Sequence, residues 1–327
     1  MRKKWIRGGI FLCLVLLLLS NLNRILCVKS PHGVDQTRYL YVQPKNKIDV
    51  LFLGSSHVHC NVNTQLLWDE YGMAAYLMTG AEQPLWNSYY NLKEALKNQK
   101  PKLVVLDMFC PSRFYDDFQP GWADENLDGM RISLNKLEAV YTSVQEEQSH
   151  FFLGFTEYHS RYDQLTTEDF QNFVWNRKTQ ERWKGYTPLN RHAELTEPDM
   201  SHVTTSQEMT EKSKEYFEKI VELTKKEGIA LALISGPYLL EERDQEVYNS
   251  IGQLAEKDGL LFWNTNTPAH YREMGLDFST DYADHAHLNE AGGAKYTAYL
   301  GKWLSQNYSF PDRRGQKGYE SWENQLM

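Results

Sequence analysis

Short apolar runs alternate with amphipathic stretches along most of the chain. Five of these runs have the length and the continuous apolar character of strands buried in a parallel sheet. The predicted strands are Ile48–Leu53, Met73–Met78, Leu103–Met108, Ile229–Ile234 and Leu260–Trp263. The stretches between them have helical spacing, as in Pro84–Lys97, where Leu85 and Leu92 recur on one face. The alternation predicts an α/β fold, doubly wound in three α/β/α layers around a mainly parallel five-stranded sheet, with its functional site at the carboxyl ends of the strands.

The alternation is interrupted between residues 109 and 203, a stretch that is aromatic, polar and mostly helical in composition. We expect this helical insertion to pack over the active-site edge of the sheet within one domain, residues 47–304. Residues 305–327 are predicted to form a polar, peripheral tail. Besides Pro84–Lys97, the predicted helices are Asn63–Tyr71, Leu134–Glu147, Thr166–Arg182, Ser206–Lys226, Gln245–Lys257 and Asn289–Leu304.

The first 28 residues predict a signal anchor, a transmembrane segment that is kept in the protein. Basic residues within Met1–Arg7 precede the apolar run Gly8–Leu19, which keeps that end in the cytoplasm. A cleaved signal peptide is the alternative, but no small-x-small cleavage site follows the run. Trp5–Val28 is long enough to cross ~30 Å of bilayer. We therefore expect a single-pass protein of the bacterial cell membrane, with residues 29–46 as a linker and the folded domain outside the cytoplasm.

Composition narrows the class of protein further. Hydrophobic residues at 41% and aromatic residues at 13% are typical of a folded chain. The formal net charge of −8, without a basic patch carrying interleaved aromatics, argues against nucleic-acid binding. The four cysteines do not make a disulfide framework. Cys60 and Cys110, the pair in the predicted extracytoplasmic part, could form one bridge or remain two free thiols.

Two short motifs at opposite ends of the predicted domain carry candidate chemistry. The first strand is followed by a glycine and a pair of serines ending at Ser56, and Asp284 precedes His287 by three positions. A serine hydroxyl needs a base to remove its proton, and the base needs a third group to fix its tautomer. These residues therefore predict a nucleophile, Ser56, a general base, His287, and an orienting carboxylate, Asp284.

Each assignment has an alternative. The Gly-Ser-Ser turn could be an ordinary cap of the following helix. His285 could replace His287, and Asp281 could replace Asp284, although the three-residue spacing favours the first pair. Asn289 is a plausible N-cap for the last helix, and such a cap would hold the preceding loop over the strand ends.

The two motifs resemble those of the SGNH (GDSL-type) hydrolase superfamily, whose fold is flavodoxin-like. There, a Gly-x-Ser turn after the first strand carries the nucleophile, and an Asp-x-x-His box supplies the acid and the base. The resemblance implies those roles for Ser56, Asp284 and His287. Gly-Ser-Ser behind a membrane anchor is most similar to the DltD-type and alginate-acetylation-type branches, which modify cell-envelope polymers.

The resemblance also implies an oxyanion hole, in which N–H groups stabilise the charge of the reacting oxygen. The implied donors are the N–H of Ser56 and the N–H of Gly80. Gly80 follows the second predicted strand, where the family has the glycine of its second sequence motif. The family's Gly-x-Asn-Asp box is absent after the third strand, where the chain reads Asp107-Met108-Phe109-Cys110. Asn87 is a weaker candidate for the third donor.

Several polar residues could contact a substrate. His57, His59 and Cys60 crowd the nucleophile, but no second ligand cluster with metal-binding spacing accompanies them. We expect no metal and no cofactor, and we expect His57 to contact substrate or to pack beside the site. In the insertion, His159 and Arg161 suit a sugar or a phosphate group. A solvated helix surface is the alternative for these two.

Together these features predict an extracytoplasmic serine acyltransferase or esterase acting on O-acyl groups, with acetyl as the expected group. The expected substrate is a cell-envelope glycan or a teichoic-type polymer. The resemblance implies a membrane-bound O-acyltransferase as the partner that brings the acyl group across the membrane. The alternatives are a carbohydrate esterase (deacetylase) and a non-catalytic protein of envelope polymer assembly or binding.

Overall fold

The computed structural model of the chain describes residues 2–26, 33–118, 120–152, 158–171 and 183–323. Within these ranges the sheet has five strands, all parallel, in the order β2-β1-β3-β4-β5. The strands are β1 (Val50–Gly54), β2 (Ala75–Thr79), β3 (Leu103–Asp107), β4 (Ala230–Ser235) and β5 (Leu261–Asn264). This is the flavodoxin-like order, whose topological switch point lies between β1 and β3. The predicted α/β class and its parallel five-stranded sheet are confirmed.

Helices cover both faces of the sheet. In chain order they are α1 (Arg2–Leu26), α2 (Val34–Leu40), α3 (Ser56–Asn61), α4 (Thr64–Tyr71), α5 (Leu85–Ala95), α6 (Phe109–Arg113), α7 (Ala123–Leu127), α8 (Leu134–Ser143), α9 (Thr167–Gln171), α10 (Glu211–Glu227), α11 (Glu242–Asp258), α12 (Pro268–Met274), α13 (Glu290–Asn307) and α14 (Glu320–Glu323). Short 3-10 turns occur at Pro120–Trp122, Gln148–Phe151 and His159–Asp163.

Successive side chains of each strand point to opposite faces of the sheet, so each face packs against its own layer of helices. Along β1, Leu51 and Leu53 face a core shared with α5, α10 and α11. Val50 and Phe52 face the opposite core, shared with α3, α4 and α13. Because both faces are covered, every residue of β1 is buried, which explains why its sequence is continuously apolar instead of alternating.

The described part of the predicted linker 29–46 belongs to the core. Helix α2 places Tyr39 and Leu40 in the hydrophobic cluster. The buried amide of Gln36 accepts a hydrogen bond from the N–H of Thr79 at 2.8 Å and donates to the carbonyl of Gly185 at 3.0 Å. Val34–Leu40 is therefore a helix of the folded domain and not part of a linker.

The predicted polar tail also differs from the expectation. Arg313 forms a two-pronged ion pair with Asp49, with N–O distances of 2.7 and 2.9 Å. Trp322 is fully buried, and its indole N–H donates to the carbonyl of Ala75 in the edge strand β2 at 3.0 Å. The tail therefore packs against the start of the sheet, because single large side chains dock it in spite of its polar composition.

Other predicted elements shift at their ends. Helix α8 stops at Ser143, four residues before the predicted end, because Val144 is extended. Of the predicted helix Thr166–Arg182, α9 forms the first part, and the remainder lies outside the described residues. Among the described helices, α1 alone is long and apolar enough to cross a membrane, with a mean hydropathy of 2.0 and very little burial.

Candidate active site

The nucleophile turn is built at the carboxyl end of β1. Gly54 has φ +148°, and a Cβ at this position would lie 2.4 Å from the Cβ of Asp107 on the neighbouring strand. Only glycine tolerates both the conformation and the close approach. Ser55 then caps α3 by accepting a hydrogen bond from the N–H of His57 at 3.2 Å. Ser56 becomes the first residue of α3, at the switch point of the sheet.

The loop before α13 is fixed by its own hydrogen bonds. Asn289 caps α13 as expected, accepting from the N–H groups of Ala291 and Gly292, and its amide donates to the carbonyl of Thr280 at 2.7 Å. The side-chain oxygen of Asn61, at the end of α3, accepts from the N–H of Leu288 at 3.1 Å. These bonds connect the loop directly to the helix that begins with Ser56.

The structure brings the three predicted side chains together across 231 residues of sequence. Nε2 of His287 lies 2.7 Å from Oγ of Ser56, and Nδ1 lies 2.8 Å from Oδ1 of Asp284. The same carboxylate oxygen also accepts from the N–H groups of Ala286 and His287. This geometry suits proton removal from Ser56 by a neutral imidazole whose tautomer is set by Asp284.

The two alternative residues have other places. Asp281 is buried and binds Lys295 at 2.7 Å, and it accepts from the N–H of Asp277. His285 lines a cavity that opens above Ser56, His287 and Asp284, which are called the triad below. Its carbonyl accepts a hydrogen bond from the N–H of Leu239. Ser55 acts as the helix cap, and this leaves the hydroxyl of Ser56 directed at His287.

Arg191 is a partner of the triad that the sequence interpretation missed. Its guanidinium donates to the second carboxylate oxygen of Asp284 at 2.8 Å, while its own side chain is 65% exposed. Burial alone would raise the pKa of Asp284, but the charge of His287, the Ala286 N–H and the charge of Arg191 outweigh burial and hold that pKa below its ordinary value. The carboxylate therefore stays ionised at neutral pH.

A cavity of about 500 Å³ opens over the triad. It is lined by Ser56, Glu82, Phe109, Arg113, Phe114, Arg191, Tyr238, Leu239, Asp284, His285, Ala286 and His287. Glu82 has φ +44°, an unusual conformation for a residue with a side chain. The lining combines aromatic rings with two arginines, and a volume of this size is typical of a small-molecule site.

His57 lies behind the triad and does not line this cavity. It is 2% exposed, stacks on Phe109 with ring centroids 3.5 Å apart, and lies 5.5 Å from the ring of His287. Neither ring nitrogen has a hydrogen-bond partner among the described residues. Burial, reinforced by the positive charges of His287 and Arg113, lowers the pKa of His57 well below its ordinary value. His57 is therefore neutral beside the base.

Asp107 supports the turn from β3. Its carboxylate accepts from the hydroxyl of Ser55 at 2.9 Å and from the N–H of Phe109 at 3.3 Å. Burial raises the pKa of Asp107 to about 6, although these hydrogen bonds act to lower it. Asp107 is thus a buried acid at the end of the third strand, near the position expected for the Gly-x-Asn-Asp motif, and it binds Ser55, the residue before Ser56.

The predicted oxyanion donors are arranged differently from one another. The N–H of Ser56 belongs to the first turn of α3, where helix N–H groups have no partner within the helix. The N–H of Gly80 donates to the carbonyl of Gly54 at 3.3 Å. Asn87 is buried in α5 and accepts from the hydroxyl of Ser143. The structure thus leaves the Ser56 N–H without an intrahelical partner and gives Gly80 and Asn87 other hydrogen-bond partners.

The predicted substrate contacts in the insertion lie elsewhere. His159 and Arg161 occupy the 3-10 turn His159–Asp163, outside the lining of the triad cavity. Arg161 donates to the carbonyl of Leu26 at the end of α1, and it pairs with Asp169 at 3.3 Å. The structure therefore gives Arg161 a position at the end of α1.

The cysteines and the histidines near Ser56 have simple surroundings. Cys60 and Cys110 are buried free thiols, and burial raises the pKa of Cys60 to about 12. His59 bonds to the hydroxyl of Thr79 at 3.2 Å. Across the described ranges, His, Cys, Asp and Glu side chains form no group of three or more that could hold a metal ion.

Comparisons with known proteins give loose structural likenesses. A candidate acylhydrolase from Bacteroides fragilis NCTC 9343 superposes with a TM-score of 0.39 at 13% identity, covering 82% of this chain and 92% of that one. A catalytic mutant of the acetylxylan esterase Axe2 from Geobacillus stearothermophilus gives a TM-score of 0.39 at 12% identity, covering 84% and 100%. No family model and no curated protein matches the chain. At these values the likeness says nothing about substrate or mechanism.

Proposed function

We propose that this protein is an SGNH-type serine esterase or acyltransferase that acts on O-acyl groups through a covalent Ser56 intermediate. The observation that carries the proposal is the continuous hydrogen-bonded series Ser56–His287–Asp284, with distances of 2.7 and 2.8 Å, at the floor of an open cavity. This arrangement provides an activated nucleophile, its base and the group that orients the base.

The reaction follows from this geometry in two balanced steps. Nε2 of His287 takes the proton of Ser56 while Oγ attacks the acyl carbonyl carbon, and the imidazolium then returns that proton to the leaving alkoxide. In the second step His287 removes a proton from a second hydroxyl, which attacks the same carbon. The bond between that carbon and Oγ of Ser56 then breaks, and the imidazolium returns the proton to Oγ. Asp284 stabilises the imidazolium in both steps, and the first-turn N–H of Ser56 faces the developing oxyanion.

We further propose that the domain works outside the cytoplasm, held there by α1, on the acetylated glycans or teichoic-type polymers of the cell envelope. The length and apolar character of α1 support the anchor. The aromatic and arginine side chains around the triad cavity favour a polar polymer over a lipid ester. If the second hydroxyl comes from water the protein is a deacetylase. If it comes from a sugar, a membrane-bound O-acyltransferase would supply the acyl group.

The test of the chemistry is turnover of a chromogenic acetyl ester by the full chain in detergent. Ser56→Ala and His287→Ala should each lower kcat by ~10³-fold or more, and Asp284→Asn should be comparably severe. Ser305→Ala, an exposed serine on α13, is the matched control and should keep wild-type turnover. A folded Ser56→Ala protein with full activity would contradict the mechanism. A wild type inert to both the ester and a fluorophosphonate probe would favour a non-catalytic binding role.

Two further measurements separate the finer proposals. Incubation with an acetyl donor and an envelope glycan should give either free acetate or a newly acetylated polymer, which mass spectrometry distinguishes. For topology, a cysteine at the exposed position Lys257 should react with a membrane-impermeant maleimide on intact cells, above the labelling of the parent protein. Labelling of this cysteine only after lysis would contradict an extracytoplasmic domain.

A further inference from the structure

A second cavity, of about 270 Å³, lies where the end of α1 meets the folded domain. Asn23 and Arg24 of α1 line it together with residues of α2 and of the segment leading into α8. The end of α1 is fixed there because Arg161 donates to the carbonyl of Leu26. The cavity is separate from the triad cavity, with which it shares no lining residue.

The lining of this cavity is strongly cationic. Arg24, Arg38, Arg131 and Lys136 face it, while Asp128 is the one acidic residue in its lining. Arg38 also pairs with Asp35, outside the lining, at 3.9 Å, so the four cations are opposed by two carboxylates and still outnumber them in a chain whose net charge is −8. Guanidinium and ammonium groups gathered in this way favour a phosphate group, which accepts several charge-assisted hydrogen bonds at once.

Two of the lining groups are already fixed in place. Lys136 is 4% exposed, and its Nζ lies 3.8 Å from Asp128. Arg131 lies over the ring of Tyr41 at 4.1 Å, and the hydroxyl of that tyrosine accepts from the backbone N–H of Arg131 at 3.0 Å. In addition, the side-chain oxygen of Asn23 is buried without a hydrogen-bond partner among the described residues. The cavity thus contains cations whose positions are already fixed, and a hydroxyl of the ligand could donate a hydrogen bond to the side-chain oxygen of Asn23.

An exposed apolar rim adjoins the cavity. Ile132, which lines it, is 74% exposed, and Leu134 and Leu137 on the outer face of α8 are 77% and 41% exposed. Near the end of α1, Tyr162 and Phe170 are 74% and 56% exposed. Single exposed apolar residues need no explanation, but a set beside the end of a membrane-spanning helix indicates a surface that meets the bilayer.

We propose that this cavity binds the phosphate of an anionic phospholipid in the leaflet from which α1 emerges, while the apolar rim rests in the interfacial region. The proposal depends on the anchoring role of α1 proposed above. Arg24 lies at the end of the apolar helix, which is the depth of the headgroups. Lipid binding would hold the domain at one angle to the membrane, since α1 alone fixes position but leaves rotation free.

The test uses the full chain in a neutral detergent and follows thermal unfolding during lipid titration. Dioctanoyl phosphatidylglycerol should raise the midpoint temperature saturably, because a ligand that binds only the folded state stabilises it. Dioctanoyl phosphatidylcholine and inorganic phosphate should have much weaker effects at equal concentration. Arg131→Glu should weaken the phosphatidylglycerol response by roughly tenfold or more. Lys100→Glu, the same charge change at an exposed site outside the cavity, should respond as the wild type does.

The following results would contradict the proposal of lipid binding. Equal stabilisation by the two lipids would remove the selectivity for negative charge, and equal stabilisation by inorganic phosphate would indicate a free-phosphate site. Equal responses of Arg131→Glu and Lys100→Glu would place lipid binding elsewhere. If Arg131→Glu does not fold, Arg24→Gln, at an exposed position, gives the same comparison. Ester hydrolysis by the wild type in the same micelles is measured separately, so its loss with an intact lipid response would contradict only the proposed chemistry.

Discussion

The buried carboxyl of Asp107 makes the stability of the nucleophile turn depend on pH. It is 3% exposed, and among the described residues its charged form is supported by the hydroxyl and N–H of Ser55 and by the N–H of Phe109. Burial raises its pKa to about 6, whereas an unfolded chain should show a value of about 3.9. The folded protein therefore binds this proton more tightly than the unfolded chain does.

The sign of the effect follows from that difference. Between about pH 4 and 6 the folded state carries more protons, so the free energy of unfolding falls as the pH rises through this window. The stabilisation is complete below the unfolded pKa and is lost above the folded one. Two pKa units correspond to about 3 kcal/mol, which is a large fraction of the 5–15 kcal/mol that is typical of a whole domain.

The measurement is urea unfolding of the wild type and of Asp107→Asn, in the same detergent, from pH 4 to pH 8. Every other group titrates in both proteins, so the difference between their unfolding free energies isolates this carboxyl. We expect the wild type to lose about 2 kcal/mol relative to the variant between pH 4 and 7, because the unfolded chain has already released about half of this proton at pH 4. A difference that stays constant across this range, to within ~0.5 kcal/mol, would mean that Asp107 does not titrate there and would refute the reasoning.

Three more outcomes are expected. Arg191→Ala should lower kcat only about 2- to 5-fold in the ester assay, because the ion pair of this exposed arginine with Asp284 is weak; a ~10³-fold loss would make it essential. Gly54→Ala should destabilise the protein by at least ~2 kcal/mol in urea unfolding, since it combines a strained φ with a clash against the Asp107 side chain, and wild-type stability would contradict this. His57→Phe should have a free energy of unfolding between that of the wild type and about 1 kcal/mol above it, because the variant lacks two buried ring nitrogens that have no partner among the described residues. A several-fold rise in KM for the same variant would assign His57 to substrate binding.

The sheet was predictable because its signal is local. Strands β1, β2 and β3 are buried along their whole length, and their sequences are therefore almost continuously apolar, as in Leu103–Leu106. The meeting of Ser56, His287 and Asp284 was predictable for a different reason, since a glycine turn after the first strand and an acid three residues before a histidine resemble two motifs that occur together in the SGNH superfamily.

The unpredicted features are contacts between residues that are distant in sequence. Arg191 is 93 residues from Asp284, and Trp322 is 247 residues from Ala75. No pattern near an isolated arginine or tryptophan indicates which carboxylate or carbonyl it will meet. Arg161 was misread for the same reason, because its polar and aromatic neighbours suit a ligand as well as they suit the end of α1.

The docked tail has a consequence for the biogenesis of the protein. Strand β2 lies at the edge of the sheet, where its free N–H and C=O groups could pair with another chain. The backbone carbonyl of Lys184 and the indole of Trp322 cover two of these groups, at Leu77 and Ala75. A chain synthesised only as far as Lys184 contains Ser56 but leaves the carbonyl of Ala75 uncovered. Its sheet edge remains prone to aggregation and proteolysis until Trp322 has been added and docked, so newly made molecules should need protection during that interval.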